Sequence, residues 1–252
     1  MKDRASRITM LLACSALVLT ACGKKNESAP GAQDDAAAPP AAAGPGDRAT
    51  LLAGAWVRAA EPGQARAGLH FGPDGLFRQF GTVSTSGLAW SVEGDSLRLT
   101  TNSERYPEPE EIRYRIGELS ESSLTLAGMG PIAGTYAHDD GACALVTGTV
   151  TYRERMALSP TAVVQVTLQD ISRQDAPATL LAREIIVTAG RQVPIPFTLA
   201  YEADTIDSRF TYAVAARITD QGKLLFINDT VHPVITREAP SQIEVLVKPV
   251  GR

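Results

Sequence analysis

Five apolar side chains at strict alternation, Val193, Ile195, Phe197, Leu199 and Tyr201, form the clearest regular pattern in the chain. A period of two places all five on one face of a β-strand. The same spacing recurs between residues 145 and 250. Val146, Gly148, Val150 and Tyr152 share a face, with Thr147, Thr149, Thr151 and Arg153 opposite. Ala162, Val164, Val166 and Leu168 follow, then Ile185 and Val187. Beyond the strongest segment come Phe210 to Ile218, Leu224 to Asn228, and Ile243, Val245 and Val247. Seven such segments in about a hundred residues predict an immunoglobulin-like β-sandwich. Pro194 and Pro196 remove ladder donors from the strongest segment, so it is expected at a sheet edge.

Residues 50–137 carry a second series of short alternating segments. Leu69 and Phe71 run into a Pro73-Asp74-Gly75 turn, and Leu76 to Phe80 return. Trp90 and Val92 run into Glu93-Gly94-Asp95-Ser96, and Leu97 and Leu99 return. Ile112, Tyr114 and Ile116 alternate, as do Leu124 and Leu126. About eight hairpin-forming strands suit a small barrel or sandwich. The expected fold is therefore all-β: a small antiparallel β-barrel-like domain at 49–138, then a seven-stranded immunoglobulin-like β-sandwich at 145–250.

The N-terminus follows a different pattern. Lys2, Arg4 and Arg7 precede an apolar run from Ile8 to Leu19, which ends in the small residues Thr20 and Ala21 before Cys22. That order is the order of an export signal. The apolar run is too short to span a bilayer of about 30 Å. Leu19-Thr20-Ala21-Cys22 resembles the lipobox of bacterial lipoproteins. The resemblance implies cleavage after residue 21 and lipidation of Cys22. Leu11-Leu12-Ala13-Cys14 has too little apolar sequence before it to serve. Gly23, rather than Asp, follows the cysteine, and in proteobacterial lipoproteins this favours the outer membrane. Two or more acyl chains anchor stably without a transmembrane helix.

Residues 22–48 are rich in Ala, Pro and Gly and hold no large apolar side chain. They are expected as a disordered tether, because they cannot bury enough surface to offset their ordering entropy. A net charge of −4 gives no electrostatic case for nucleic acid. Of the three cysteines, Cys14 leaves with the signal and Cys22 is lipidated. Cys143 then stands alone, as a core residue, a redox thiol or a dimer link.

The second β unit is similar to the YscW-type lipoprotein family, also met as YbaY-like lipoproteins. The resemblance rests on Gly148-Thr149-Val150-Thr151-Tyr152-Arg153-Glu154-Arg155, on Ala162 to Asp170, and on Val193 to Leu199. Ala216-Arg217-Ile218 and Gly222 to Asp229 extend it. It implies a periplasm-facing β-sandwich, with pilotin-type chaperones of secretin rings in type III secretion among its relatives. The first unit resembles lipocalin-like and META-like β domains of envelope lipoproteins, through Gly54-Ala55-Trp56 and the Asp74-Gly75 and Gly94-Asp95 turns.

Candidate chemistry is sparse. His70, His138 and His232 show no zinc-ligand spacing, and there is no GxSxG, P-loop or GxGxxG after a strand. His138-Asp139-Asp140 with Cys143 is a possible ligand cluster, or else an exposed linker with acidic turn residues. Arg153, Glu154, Arg155 and Asp170 are a possible partner surface, or else charges that guard a strand edge. Asn228-Asp229 reads as a turn pair that bonds its own backbone. The expectation is a membrane-anchored envelope protein with no enzymatic activity and no cofactor. It binds another envelope protein, such as a secretin, through edge-strand addition or the strand-end charges. The alternative is a lipocalin-like carrier or envelope-stress lipoprotein with a small-molecule cup in the first domain.

Overall fold

The computed structural model describes residues 45–58, 66–82, 84–173 and 175–251. The export signal, Cys22 and the tether as far as residue 44 lie outside the described residues. Residues 45–48, expected as the end of the tether, instead open a helix, α1 (Pro45–Leu52). Proline at the start of a helix costs no hydrogen bond, since the first N–H groups have no intrahelical partner. Leu52 is fully buried, and its carbonyl accepts a hydrogen bond from Trp56 Nε1 at 2.9 Å.

Eight strands follow: β1 (Gly54–Val57), β2 (Gly68–Phe71), β3 (Phe77–Phe80), β4 (Thr85–Glu93), β5 (Ser96–Ser103), β6 (Glu110–Leu119), β7 (Ser123–Ala127) and β8 (Gly134–His138). They form one antiparallel sheet in the order β3-β2-β1-β8-β7-β6-β5-β4. Pairing of β1 with β8 curls the sheet round, which leaves a single seam between β3 and β4. Contacts that cross that seam include a bridge between Leu76 and Ala89, and Trp90 N donating to Gly75 O at 3.0 Å. The sheet is a nearly closed barrel, as the hairpin series predicts.

Its interior is filled. Trp56, Phe71, Phe77, Leu97 and Leu124 are fully buried and Tyr114 is almost so. The Phe71 and Phe77 rings stack at 5.3 Å, and Trp90 meets Phe71 edge-on at 5.3 Å. A ligand cup needs a lined void. Here the positions that would line one are buried and pack against each other as a single cluster. The small-molecule carrier reading is therefore corrected: this barrel has a core where a lipocalin-type cup would have a cavity.

The remaining strands are β9 (Cys143–Thr151), β10 (Val163–Asp170), β11 (Thr179–Val187), β12 (Ile195–Glu202), β13 (Tyr212–Asp220), β14 (Lys223–Ile227), β15 (His232–Val234), β16 (Gln242–Leu246) and β17 (Lys248–Pro249). One sheet runs β11-β10-β13-β14-β17, with β15 also on β13; the other runs β12-β9-β16, with β16 parallel to β9. All seven expected strands are present, and β15 and β17 are short additions. Val146, Val164, Leu168, Phe197, Val214 and Val245 from the two sheets share the core, where Tyr152 stacks on Phe226 at 4.5 Å. As its two prolines require, β12 is an edge strand that pairs only with β9. Asn228 does more than bond its own turn, because its Oδ1 also accepts from Ala216 N at 2.8 Å just beyond β14.

Residues 42–252 form one compact unit. Polar side chains, most of them from the barrel, bond several edge atoms of β11 and β12. Thr198 on β12 has a free edge donor and acceptor: Glu184 Oε2 accepts from its N–H at 2.6 Å, and Arg78 Nε donates to its carbonyl at 3.2 Å. The Arg78 guanidinium also donates to the carbonyls of Phe77, Gly87 and Leu88 across the barrel seam, and pairs with Glu184 at 3.2 Å. On β11, Ser86 Oγ donates to Arg183 O at 3.3 Å and accepts from Ile185 N at 3.2 Å. Asn102 Nδ2 donates to Ile185 O at 2.8 Å. These side chains occupy the positions where an added strand would bond. A strand added at Thr198 of β12 or at Arg183–Ile185 of β11 would have to displace these bonds.

Candidate functional site

The outer face of the larger sandwich sheet is the candidate site, and alternation along β10 builds it. Val164, Val166 and Leu168 point into the core, so Gln165, Thr167 and Gln169 point outward. The strand register sets Ile185 and Arg217 beside Gln165, and Arg183 and Ala215 beside Thr167. Although polar and outward, Gln165 and Thr167 are buried, because the barrel reaches over them.

The reach is made by the β5–β6 loop. Ser103 N donates to Tyr106 O at 2.9 Å, and Ser103 Oγ accepts from Tyr106 N at 3.1 Å, which closes a tight turn. Asn102 Nδ2 ties that turn to β11 by donating to Pro107 O at 3.0 Å as well as to Ile185 O. Glu104 at the turn's tip then spans the sheet. Its carboxylate accepts from Arg183 Nη1 on β11 and from Arg217 Nη2 on β13, both at 2.6 Å. Arg217 Nε in turn donates to Gln165 Oε1 at 2.6 Å.

Three adjoining depressions follow β10 from end to end. The first, about 510 Å³, lies between Pro107, Val163, Ile185 and Leu224. The second, about 410 Å³, lies over Thr167, Gln169 and Ala215 and shares Glu104, Gln165 and Arg217 with the first. The third, about 340 Å³, shares Leu180 with the second and is lined by Leu181, Phe210 and Tyr212. The first two make one groove with an amide-rich floor and the Glu104 bridge across it; the third opens on the core-facing side at the end of β10, where Asp170 and Tyr212 continue the inward alternation and Glu202 and Thr205 complete the lining.

Comparisons with known proteins bear on these same strands. Residues 142–247 match the family model described as "Type III secretion system lipoprotein chaperone (YscW)". The "uncharacterized lipoprotein YbaY" of Escherichia coli (strain K12) is 42% identical over 92 residues, which are 36% of this chain and 48% of that protein. Residues 142–247 belong to the YscW family. The chain spans about half the length of the curated relative it matches. A solved alternative pilotin of the Vibrio cholerae type II secretion system is 46% identical, covering 44% of this chain and 99% of its own, with a TM-score of 0.43. A lipocalin-like protein of Bacteroides thetaiotaomicron VPI-5482 is 25% identical, covering 35% and 96%, with a TM-score of 0.30. The strand order above carries the fold assignment.

The YscW-type domain gathers the expected partner-surface residues only in part. Asp170 lines the third depression, and its Oδ1 accepts from Ser172 N at 2.9 Å and Ser172 Oγ at 2.5 Å. Arg153, Glu154 and Arg155 follow β9 and line none of the three depressions. β10 runs from Val163 to Asp170, a rise of about 23 Å, so the loop holding Arg153 and the turn holding Asp170 are at opposite ends of it. The groove itself has no local sequence signature, since Glu104, Arg183 and Arg217 sit on three separate elements.

The His138 to Cys143 segment is structural. Asp140 Oδ1 accepts from Ala55 N at 3.0 Å and lies 3.4 Å from His138 Nε2. Asp139 caps Gly141 N at 3.1 Å and meets Arg66 at 3.6 Å. The segment is a turn between β8 and β9 whose acidic side chains are largely exposed, Asp139 at 45% and Asp140 at 69%, while Ala142 behind them is buried. Among the described residues no group of His, Cys, Asp or Glu has metal-binding geometry. Cys143 packs against a cluster of Ala55, Val57, Phe80 and Ala200, and burial pushes its thiol up to about 12. That is core chemistry, with no activated nucleophile. Among the described residues no helix is long and apolar enough to cross a membrane.

Proposed function

We propose that this chain is a lipid-anchored lipoprotein of the outer membrane, facing the periplasm, that binds another envelope protein without catalysis. It acts as a chaperone of pilotin type, and a segment of the partner lies in the groove over β10. The observation that carries this reading is the groove itself, placed on a domain whose family is described as lipoprotein chaperones. The anchor would be Cys22, behind the export signal at residues 1–21 and a tether that gives the two β domains, 49–138 and 145–250, reach from the membrane. A secretin is the partner this reading favours, as a component of the secretion systems that the family description names. Cross-linking in the intact envelope, followed by purification of the chain, tests it. One envelope protein should be recovered reproducibly, joined through residues of the groove. Recovery of the chain alone, in repeated trials, contradicts the reading.

A further inference from the structure

We infer that Arg183 and Arg217 form a carboxylate clamp for an acidic peptide segment, and that Glu104 occupies the clamp in place of that segment until it binds. The inference rests on the reading of residues 142–247 as a protein-binding module, and it names the chemistry of the partner. Two guanidiniums hold one carboxylate, so the clamp carries an excess positive charge. Both cations belong to the sandwich sheet and the anion belongs to the barrel loop. The Nε of Arg183 is buried and has no hydrogen-bond partner, so the bridge leaves donor capacity unused. The Glu104 side chain is 49% exposed, which keeps the bridge screened by solvent and readily exchanged.

The surroundings fit a peptide. Gln165 Nε2 and Gln169 Oε1 remain for a peptide backbone, since Gln165 Oε1, Thr167 Oγ1 and Gln169 Nε2 are bonded within the sheet. Leu224 at one end and Leu180 and Ile227 at the other offer apolar contacts to flanking side chains. Planar guanidinium forks favour carboxylates that arrive in plane. A partner glutamate or aspartate would take over the bonds that Glu104 makes, and the β5–β6 loop would lift from the sheet.

The test uses the full chain purified in detergent and a dye-labelled peptide, Ala-Leu-Glu-Glu-Leu-Ala, with a counterpart carrying Gln at both Glu positions. Removing the internal occupant raises apparent affinity by the inverse of the fraction of open clamp. Glu104→Gln should therefore bind the acidic peptide about tenfold tighter than the wild type, with no gain for the Gln peptide. Adding Arg183→Met and Arg217→Met should remove the gain. Equal affinities for E104Q and wild type, an equal gain for both peptides, or a gain that survives loss of the arginines would overturn the clamp. A measurement on the unaltered chain guards against misfolded variants: saturating acidic peptide should speed amide exchange at residues 103–107, and unchanged or slower exchange overturns the inference. The two readings fail separately. A partner cross-linked in the envelope at sites away from Arg183 and Arg217 leaves a protein-binding role standing and overturns the clamp.

Discussion

Replacing Arg78 with methionine should loosen the junction between barrel and sandwich by an amount that depends on pH. Arg78 and Glu184 are buried, with side chains 10% and 7% exposed. The arginine bonds four backbone carbonyls, those of Phe77, Gly87, Leu88 and Thr198. Methionine restores most of the volume and none of the donors, and it leaves Glu184 as a buried charge without its cation. Losing one partner of a buried pair costs about 3–5 kcal/mol. For a unit of this size that lowers the melting temperature by roughly 10 °C. Burial already pushes the Glu184 carboxyl above the ordinary glutamate range, opposed first by Arg78. Without Arg78 it rises further. A raised folded-state value means that the folded chain holds the proton more tightly than the unfolded one. Stability is then fully present below the unfolded glutamate value and is lost as pH rises through the folded one. The deficit of the variant should therefore be larger at neutral pH than at about pH 4.5, near the ordinary glutamate value. Adding Glu184→Gln to Arg78→Met should recover part of the loss at neutral pH. Urea unfolding of wild type, both single variants and the double variant at the two pH values measures this. A deficit below about 1 kcal/mol, or one equal at both pH values, would refute the buried-pair reasoning.

Other consequences follow from the same packing. A Cβ at Gly87 would lie 2.6 Å from Phe77 Cδ1 and 2.8 Å from its carbonyl oxygen, so Gly87→Val should force the β3–β4 seam apart. The cost should be about 1–3 kcal/mol, seen as a lower urea midpoint, and an unchanged midpoint would contradict the seam. With its thiol pushed up to about 12, Cys143 should alkylate about a thousandfold more slowly in the folded chain than in urea at the same pH, and comparable rates would show that the thiol is not buried as described. Cys22→Ser should move the protein from the membrane fraction to the soluble fraction of fractionated cells, and unchanged membrane association would contradict the lipid anchor.

Most strands were legible because one face of each is buried and the other wet, which writes a period of two into the sequence. β12 is the clearest case, and its two prolines also announced an edge. The first half of β11 was not legible. A register shift against β10 falls between Leu168 and Gln169, and Arg183 and Glu184 there look like surface charges. Glu184 alternates with Ala182 and Ile186 on the inward face of β11, and no local pattern encodes its meeting with Arg78 and Thr198 N there. The filled barrel was equally hidden. Alternation says that Leu97 and Tyr114 point inward, but whether inward side chains meet or line a void depends on how the sheet curls. The candidate site shows the same division. The apolar face of β10 was read from alternation, whereas its polar floor was not picked out and the Glu104 bridge joins a loop and two strands distant in sequence. The start of α1 reversed an expectation for a simpler reason: proline opposes a helix in its interior and not at its first turn.

Photo-cross-linking from single positions in the intact envelope tests the central claim most directly. A photoreactive residue at Thr167 or Ala215 sits on the groove floor, and one at Thr149 sits on the outer face of the opposite sheet. The account predicts one discrete adduct with an envelope protein from Thr167 and Ala215, absent from Thr149 and lost when Cys22 is replaced by serine. An adduct of equal strength from Thr149, or none from either groove position while the protein is folded and membrane-bound, would contradict it.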